Sequence, residues 1–296
     1  MSERMENPVN DDERANAKGL KVHLREVAIG PSTYRVITLR PATSVRFSTN
    51  FFHDTWHILT DPEGASMLAR LLWGLAFQRQ PGTLVLINGA HLVPTPFEAD
   101  PGSSIALVPS GLTSVNAGVL RQVRARLCRP VPCKTVTWQT FGLPQAVVES
   151  DWRNWDYDET RRHCRSRNHE EMRRQRSREQ MQRFGGVVCY SAPPEILRSQ
   201  AVSIYQMQAY RRMDHHYLAE DGGHGWWRTD GEVQVFRNFR DMVSAATVAR
   251  RAVLGPRAAG VVIATDEERA AVHRQAERVS FSLQASRRQR TETRQK

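Results

Sequence analysis

Apolar residues change their spacing several times along this chain, and each change marks an element. Two β-rich runs, residues 21–29 and 34–39, flank Gly30, Pro31 and Ser32, whose turn chemistry predicts a β-hairpin. Met67, Leu68, Leu71, Leu72 and Leu75 recur at helical spacing. Asp61 suits the N-cap of that helix, Pro62 its first position, and Pro81 with Gly82 stops it. Residues 83–87, too short and too apolar for a surface helix, predict a buried strand. Residues 105–108 predict another, followed by a helix with Val115, Val119, Val123 and Leu127 on one face, and residues 135–141 predict the next strand.

The pattern then fails. Residues 158–183 have helical propensity, yet only Cys164, Met172 and Met181 interrupt a polar surface, which predicts an exposed helix held by charge pairs or a linker. The pairs Asp158–Arg162, Glu170–Arg174 and Glu179–Arg183 each contribute about 0.3 kcal/mol, little against backbone entropy. After Gly185 and Gly186 the rhythm becomes strand 187–190, helix 194–209, strand 232–236, helix 239–254, strand 260–264 and helix 266–283. Phe239, Met242, Val243, Ala246 and Val253 make one helical stripe, ended by Gly255 and Pro256. Thr265 and Glu268 form a capping box ahead of Val272, Ala276, Val279 and Leu283. The strand–helix–strand run from 232 to 264 implies a right-handed parallel unit.

These elements predict an α/β fold: a mixed, partly parallel sheet with flanking helices, an N-terminal β-hairpin, disordered termini and a long Arg-rich polar helix or linker. The expected organisation is a disordered leader over 1–19, an α/β part over 20–150, the charged helix or linker over 151–185, a βαβα part over 186–284 and a disordered basic tail over 285–296. No repeat of fixed period occurs.

Composition changes this picture only slightly. With 40% apolar and 25% charged residues the chain is ordinary for a folded protein. No run nears the roughly 18 apolar residues of a membrane helix, and Glu3, Glu6, Asp11, Asp12 and Glu13 do not suit a secretion signal. A soluble, cytoplasmic protein without a membrane partner is expected. Cys128, Cys133, Cys164 and Cys189 then stay reduced.

Charge matters more once it is located. The net +11 is concentrated in two places: residues 161–183, with nine arginines against three glutamates, and residues 287–296, with five bases against Glu292. Any contact with nucleic acid or another polyanion is therefore local, through Arg161, Arg162, Arg165, Arg167, Arg173, Arg174, Arg176 and Arg178 and through Arg287, Arg288 and Arg290. Trp226 and Trp227 are candidates for stacking on a base or sugar.

Three further groups have chemical meaning. Asp214, His215, His216 and His224 sit with Glu220 and Asp221 in what reads as a glycine-loosened loop, a donor set suited to a divalent cation. His53, Asp54 and His57 make a second cluster; on a helix the two histidines would share one face. Residues just beyond predicted strands, namely Asn88, His91, Ser110, Ser191, Thr265 and Asp266, occupy the positions where doubly wound sheets hold ligands. No glycine-rich phosphate loop and no nucleophile elbow is present. Three expectations follow, in this order: a binding or regulatory protein with local polyanion contact, a metal-dependent hydrolase built on the 214–224 loop with a divalent metal as its only cofactor, and a protein-interaction module without catalysis.

Overall fold

The computed structural model describes residues 19–128, 133–154, 178–207, 213–220, 229–255 and 264–294. In chain order the elements are β1 (Leu20–Ile29), β2 (Ser32–Thr38), β3 (Phe47–Phe52), β4 (Thr55–Thr60), α1 (Pro62–Ala76), β5 (Thr83–Ile87), β6 (Ser104–Pro109), α2 (Ala117–Leu127), β7 (Cys133–Trp138) and α3 (Leu143–Asn154). They continue with β8 (Gln180–Phe184), β9 (Val187–Ala192), α4 (Pro194–Gln206), β10 (Met213–Glu220), β11 (Thr229–Phe236), α5 (Phe239–Leu254) and α6 (Asp266–Arg294).

The strands form two sheets. The larger has the order β7-β1-β2-β5-β6-β9-β8, and the smaller β10-β11-β4-β3. Pairs β2/β5, β6/β9 and β4/β11 are parallel and the others antiparallel, so the α/β class and its mixed sheet are as expected. Each sheet takes strands from both the N-terminal and the C-terminal half of the chain.

Strand alternation sorts the core into layers. Val85, Ile87, Ile105, Leu107, Val188 and Tyr190 point from the large sheet toward α1 and α4, where Ile58, Val233 and Val235 of the small sheet meet the same core. On the large sheet's other face, Val36, Leu84, Leu86 and Val108 pack against Leu120 and Val123 of α2. The second face of the small sheet contributes Leu59 and Phe236 to a cluster with Phe239 of α5, and α5 packs on α6 through Ala246, Ala249, Val272 and Ala276. All five residues of β5 are buried, as a strand covered on both faces must be.

Local chemistry explains the ends of α1. Asp61 Oδ1 accepts from the Gly64 N–H at 2.8 Å, and Pro62 fills the first position, where no N–H is needed. Thr265 and Glu268 make the expected capping box, with bonds of 2.9 and 3.2 Å.

Several expectations are corrected. Residues 180–184, read as the end of a polar helix, are the edge strand β8, because pairing with β9 buries Met181 and outweighs local helical propensity. The hairpin β3–β4 and helix α3 carry too few regular apolar positions to be read from spacing. Strand β7 ends at Trp138 rather than Phe141. Helix α6 runs to Arg294, beyond the end at 283 expected from spacing. Residues 1–18, the part of the arginine segment up to residue 177 and the expected strand 260–264 except Ala264 lie outside the described residues. The described neighbours of β11 are β10 and β4.

Candidate functional site

The two histidine clusters come apart in the structure. His53 and Asp54 are the two loop residues of the β3–β4 hairpin, with φ of 50° and 59°. Both angles are positive, as a type I′ turn requires. His57 lies inside β4, buried, with its Nε2 3.1 Å from Glu232 Oε2 on β11. The turn histidine instead stacks on Phe52, ring centroids 3.9 Å apart.

Asp214, His215 and His216 belong to strand β10, not to a loop. Alternation along a strand sends consecutive side chains to opposite faces. His216 accordingly meets Gln200 of α4, whereas His215 is exposed on the other face beside Tyr217. The two imidazoles cannot ligate one ion. No group of three or more His, Cys, Asp or Glu side chains suited to a metal occurs among the described residues. His224, Trp226 and Trp227, like Arg161, Arg162, Arg165, Arg167, Arg173, Arg174 and Arg176, lie outside the described residues. Arg178 is exposed just before β8, and Arg287, Arg288 and Arg290 fall on the last turns of α6.

Glu232 is the best-held carboxylate of the small sheet. Burial acts to raise it, but hydrogen bonds from His57 and Gln234 and the charges of His57 and His215 outweigh that and hold it below its ordinary value of 4.5. A depressed folded value means that the unfolded chain binds the proton more readily. The stabilisation is complete above 4.5 and is lost as pH falls through the folded value. Glu232→Gln is therefore expected to flatten the acid limb of stability against pH, measured as urea midpoints; parallel profiles for variant and parent would refute this role.

A cleft of ≈ 740 Å³ opens where the free edge of the small sheet meets the large sheet. The β3–β4 hairpin supplies Asn50, Phe51, Phe52 and Trp56; β8 supplies Arg183 and the turn after it Gly186; α2 supplies Arg124 and α6 Arg269. Phe51 and Trp56 are cross-strand partners with centroids 4.9 Å apart. The Arg183 guanidinium carbon stands 5.8 Å from the Trp56 ring, over its face. Phe51 is 51% and Phe52 58% exposed, a high value for such side chains. Sequence spacing missed this group because its members come from distant segments. The signal available was the Phe51-Phe52 pair beside Trp56.

The cations of the cleft differ in their commitments. Arg269 Nε donates to Asp100 Oδ2 at 2.8 Å, and its Nη1 lies 3.4 Å from Asp266. Arg250, buried behind the cleft wall, donates to Asp100 Oδ1 at 2.6 Å and to the Glu98 carbonyl at 3.2 Å. Burial, then the negative charge of Asp100, pushes the Glu98 carboxyl upward. Arg124, exposed, uses Nη1 to bond the Gly186 carbonyl at 2.9 Å. Arg183 has no ion pair among the described residues. Arg124 and Arg183 are thus the cations of the cleft open to an anion.

Beneath it, a polar chain crosses the core. Glu179 Oε1 accepts from Tyr190 Oη at 2.5 Å and from Gln200 Nε2 at 2.8 Å, and Gln200 Oε1 meets His216. Burial, reinforced by Glu179, drives the Tyr190 phenol well above its ordinary range, so it remains a donor. These contacts tie β8, β9, α4 and β10 together behind Arg183.

Comparison with protein-family models, curated proteins and solved structures finds no match to this chain.

Proposed function

We propose that this protein is a binding or regulatory protein that holds a single nucleic-acid strand in the cleft between its two sheets. The observation that carries this reading is Arg183 stacked over Trp56 beside the exposed rings of Phe51 and Phe52. Single strands are bound by this combination: aromatic faces take bases of any sequence, and unpaired guanidinium groups take phosphates. Arg183 is also the last residue of the nine-arginine run. The same reading puts the protein in the cytoplasm, where the exposed free thiols of Cys128 and Cys133 stay reduced.

The test is fluorescence anisotropy of labelled single- and double-stranded DNA and RNA with the full chain over a salt series. Single strands are expected to bind more tightly than duplexes, with affinity falling linearly on a log–log salt plot. Arg183→Ala should weaken binding and reduce the salt slope by about one. The double variant Phe51→Ala/Phe52→Ala should weaken it about fivefold or more with the slope unchanged. Absence of binding at physiological salt, or parental affinity in both variants, would sink the proposal.

A further inference from the structure

A second cavity lies away from the cleft, on the far side of β6 and β9. These neighbouring strands run parallel. The chain leaving β6 enters α2, which packs on one face of the large sheet, and the chain leaving β9 enters α4, which packs on the opposite face. Connections that part in this way open a crevice beyond the carboxyl ends of the strands, the place where open α/β sheets hold ligands. A pocket of ≈ 370 Å³ starts there, under residues 110–115, and extends along the α2 face of β8 and β9 as far as Phe184.

The pocket is preformed. Ser110 N–H bonds to the Ala192 carbonyl at 2.9 Å and joins the loop to the end of β9. Thr113 Oγ1 donates to the Thr83 carbonyl at 2.8 Å, and Tyr34 Oη to the Ser114 carbonyl at 3.2 Å. Gly111, at φ 83°, makes the turn that other residues rarely adopt.

Its described lining is uncharged. Ser110, Ser191, Gln180 and Gln182 present hydroxyls and carboxamides and Val108 and Phe184 present apolar surface; among the described residues no charged side chain is part of the lining, and the Arg178 guanidinium stands outside it, Nη2 3.6 Å from where a Cβ on Gly111 would lie. Strand register places Gln180 opposite Ser191 and Gln182 opposite Cys189 on one face of the sheet. Ser110 Oγ is buried without a hydrogen-bond partner among the described residues, a cost that native structures normally remove by supplying a partner. Burial pushes the Cys189 thiol up to about 12, so it stays protonated in the wall.

We infer that this pocket is a binding site for one neutral nucleoside, independent of the strand-binding cleft. A nucleobase combines apolar faces with an edge of alternating donors and acceptors, and a glutamine carboxamide matches such an edge with two bonds. The volume is at the lower end for small-molecule sites, enough for one nucleoside. The lack of a phosphate-binding glycine motif agrees with an uncharged ligand.

The test is calorimetric titration of the full chain with the common ribonucleosides and their 5′-monophosphates. At least one nucleoside is expected to bind at millimolar concentration or below, with its monophosphate no tighter. Ser110→Ala and Gln182→Leu should each weaken it about fivefold without lowering the melting temperature of the free protein; Gln182 is exposed, so its replacement leaves the fold intact. Arg183→Ala should leave nucleoside binding unchanged, which separates this site from the cleft. The inference is overturned if no nucleoside binds, if both pocket variants bind as the parent does, if the phosphate is required, or if Arg183→Ala abolishes binding.

Discussion

Asp100→Ala is expected to destabilise the protein by about 3 kcal/mol or more, measured by urea unfolding, because it leaves a buried cation without its carboxylate. Asp100 takes Arg250 on one oxygen and Arg269 on the other, and only 6% of the Arg250 side chain is exposed. These bonds fasten the loop between β5 and β6 to α5 and α6. The Glu98 carbonyl is one further partner of Arg250, and as a neutral acceptor it does not replace the carboxylate. The double variant Asp100→Ala/Arg250→Met should recover much of the loss, since the penalty lies in burying a guanidinium that has lost the Asp100 carboxylate rather than in the missing contact. A loss below about 1 kcal/mol in the single variant, the range of surface pairs, would show that the clamp is not held in this way.

The second large effect reverses a familiar sign. Gly→Ala inside a helix ordinarily stabilises by about 1 kcal/mol, yet Gly74→Ala in α1 is expected to destabilise by about 2 kcal/mol. A Cβ at Gly74 would stand 2.2 Å from Trp138 Nε1 and 2.6 Å from two further indole atoms. Trp138 is 3% exposed and its Nε1 donates to the Leu71 carbonyl at 3.3 Å, so the rigid ring has nowhere to go. Overpacking of this kind costs about 1–3 kcal/mol before the lost hydrogen bond is counted. An unchanged or raised melting temperature for Gly74→Ala would mean that α1 does not lie so close to β7.

The hairpin β1–β2, the capped helix α1, the buried strand β5 and the capping box of α6 were legible because each is written in local chemistry: turn residues, a cap, a single period. Hairpin β3–β4 was not, since Phe51, Phe52, His53 and Asp54 follow no period and their conformation depends on pairing along β4. His215 and His216 looked like joint ligands while their segment read as a loop; a strand sends them to opposite faces.

The sequence by itself therefore determined the α/β class, the main helices and the two concentrations of arginine, because periodicity, caps and charge act over a few residues. Only the tertiary structure decided which strands share a sheet, that Arg183 meets Trp56, and that Ser110 meets Ser191 across a pocket. Those encounters join residues 81 to 127 positions apart, and contacts of that range depend on how whole layers pack, which no local pattern records.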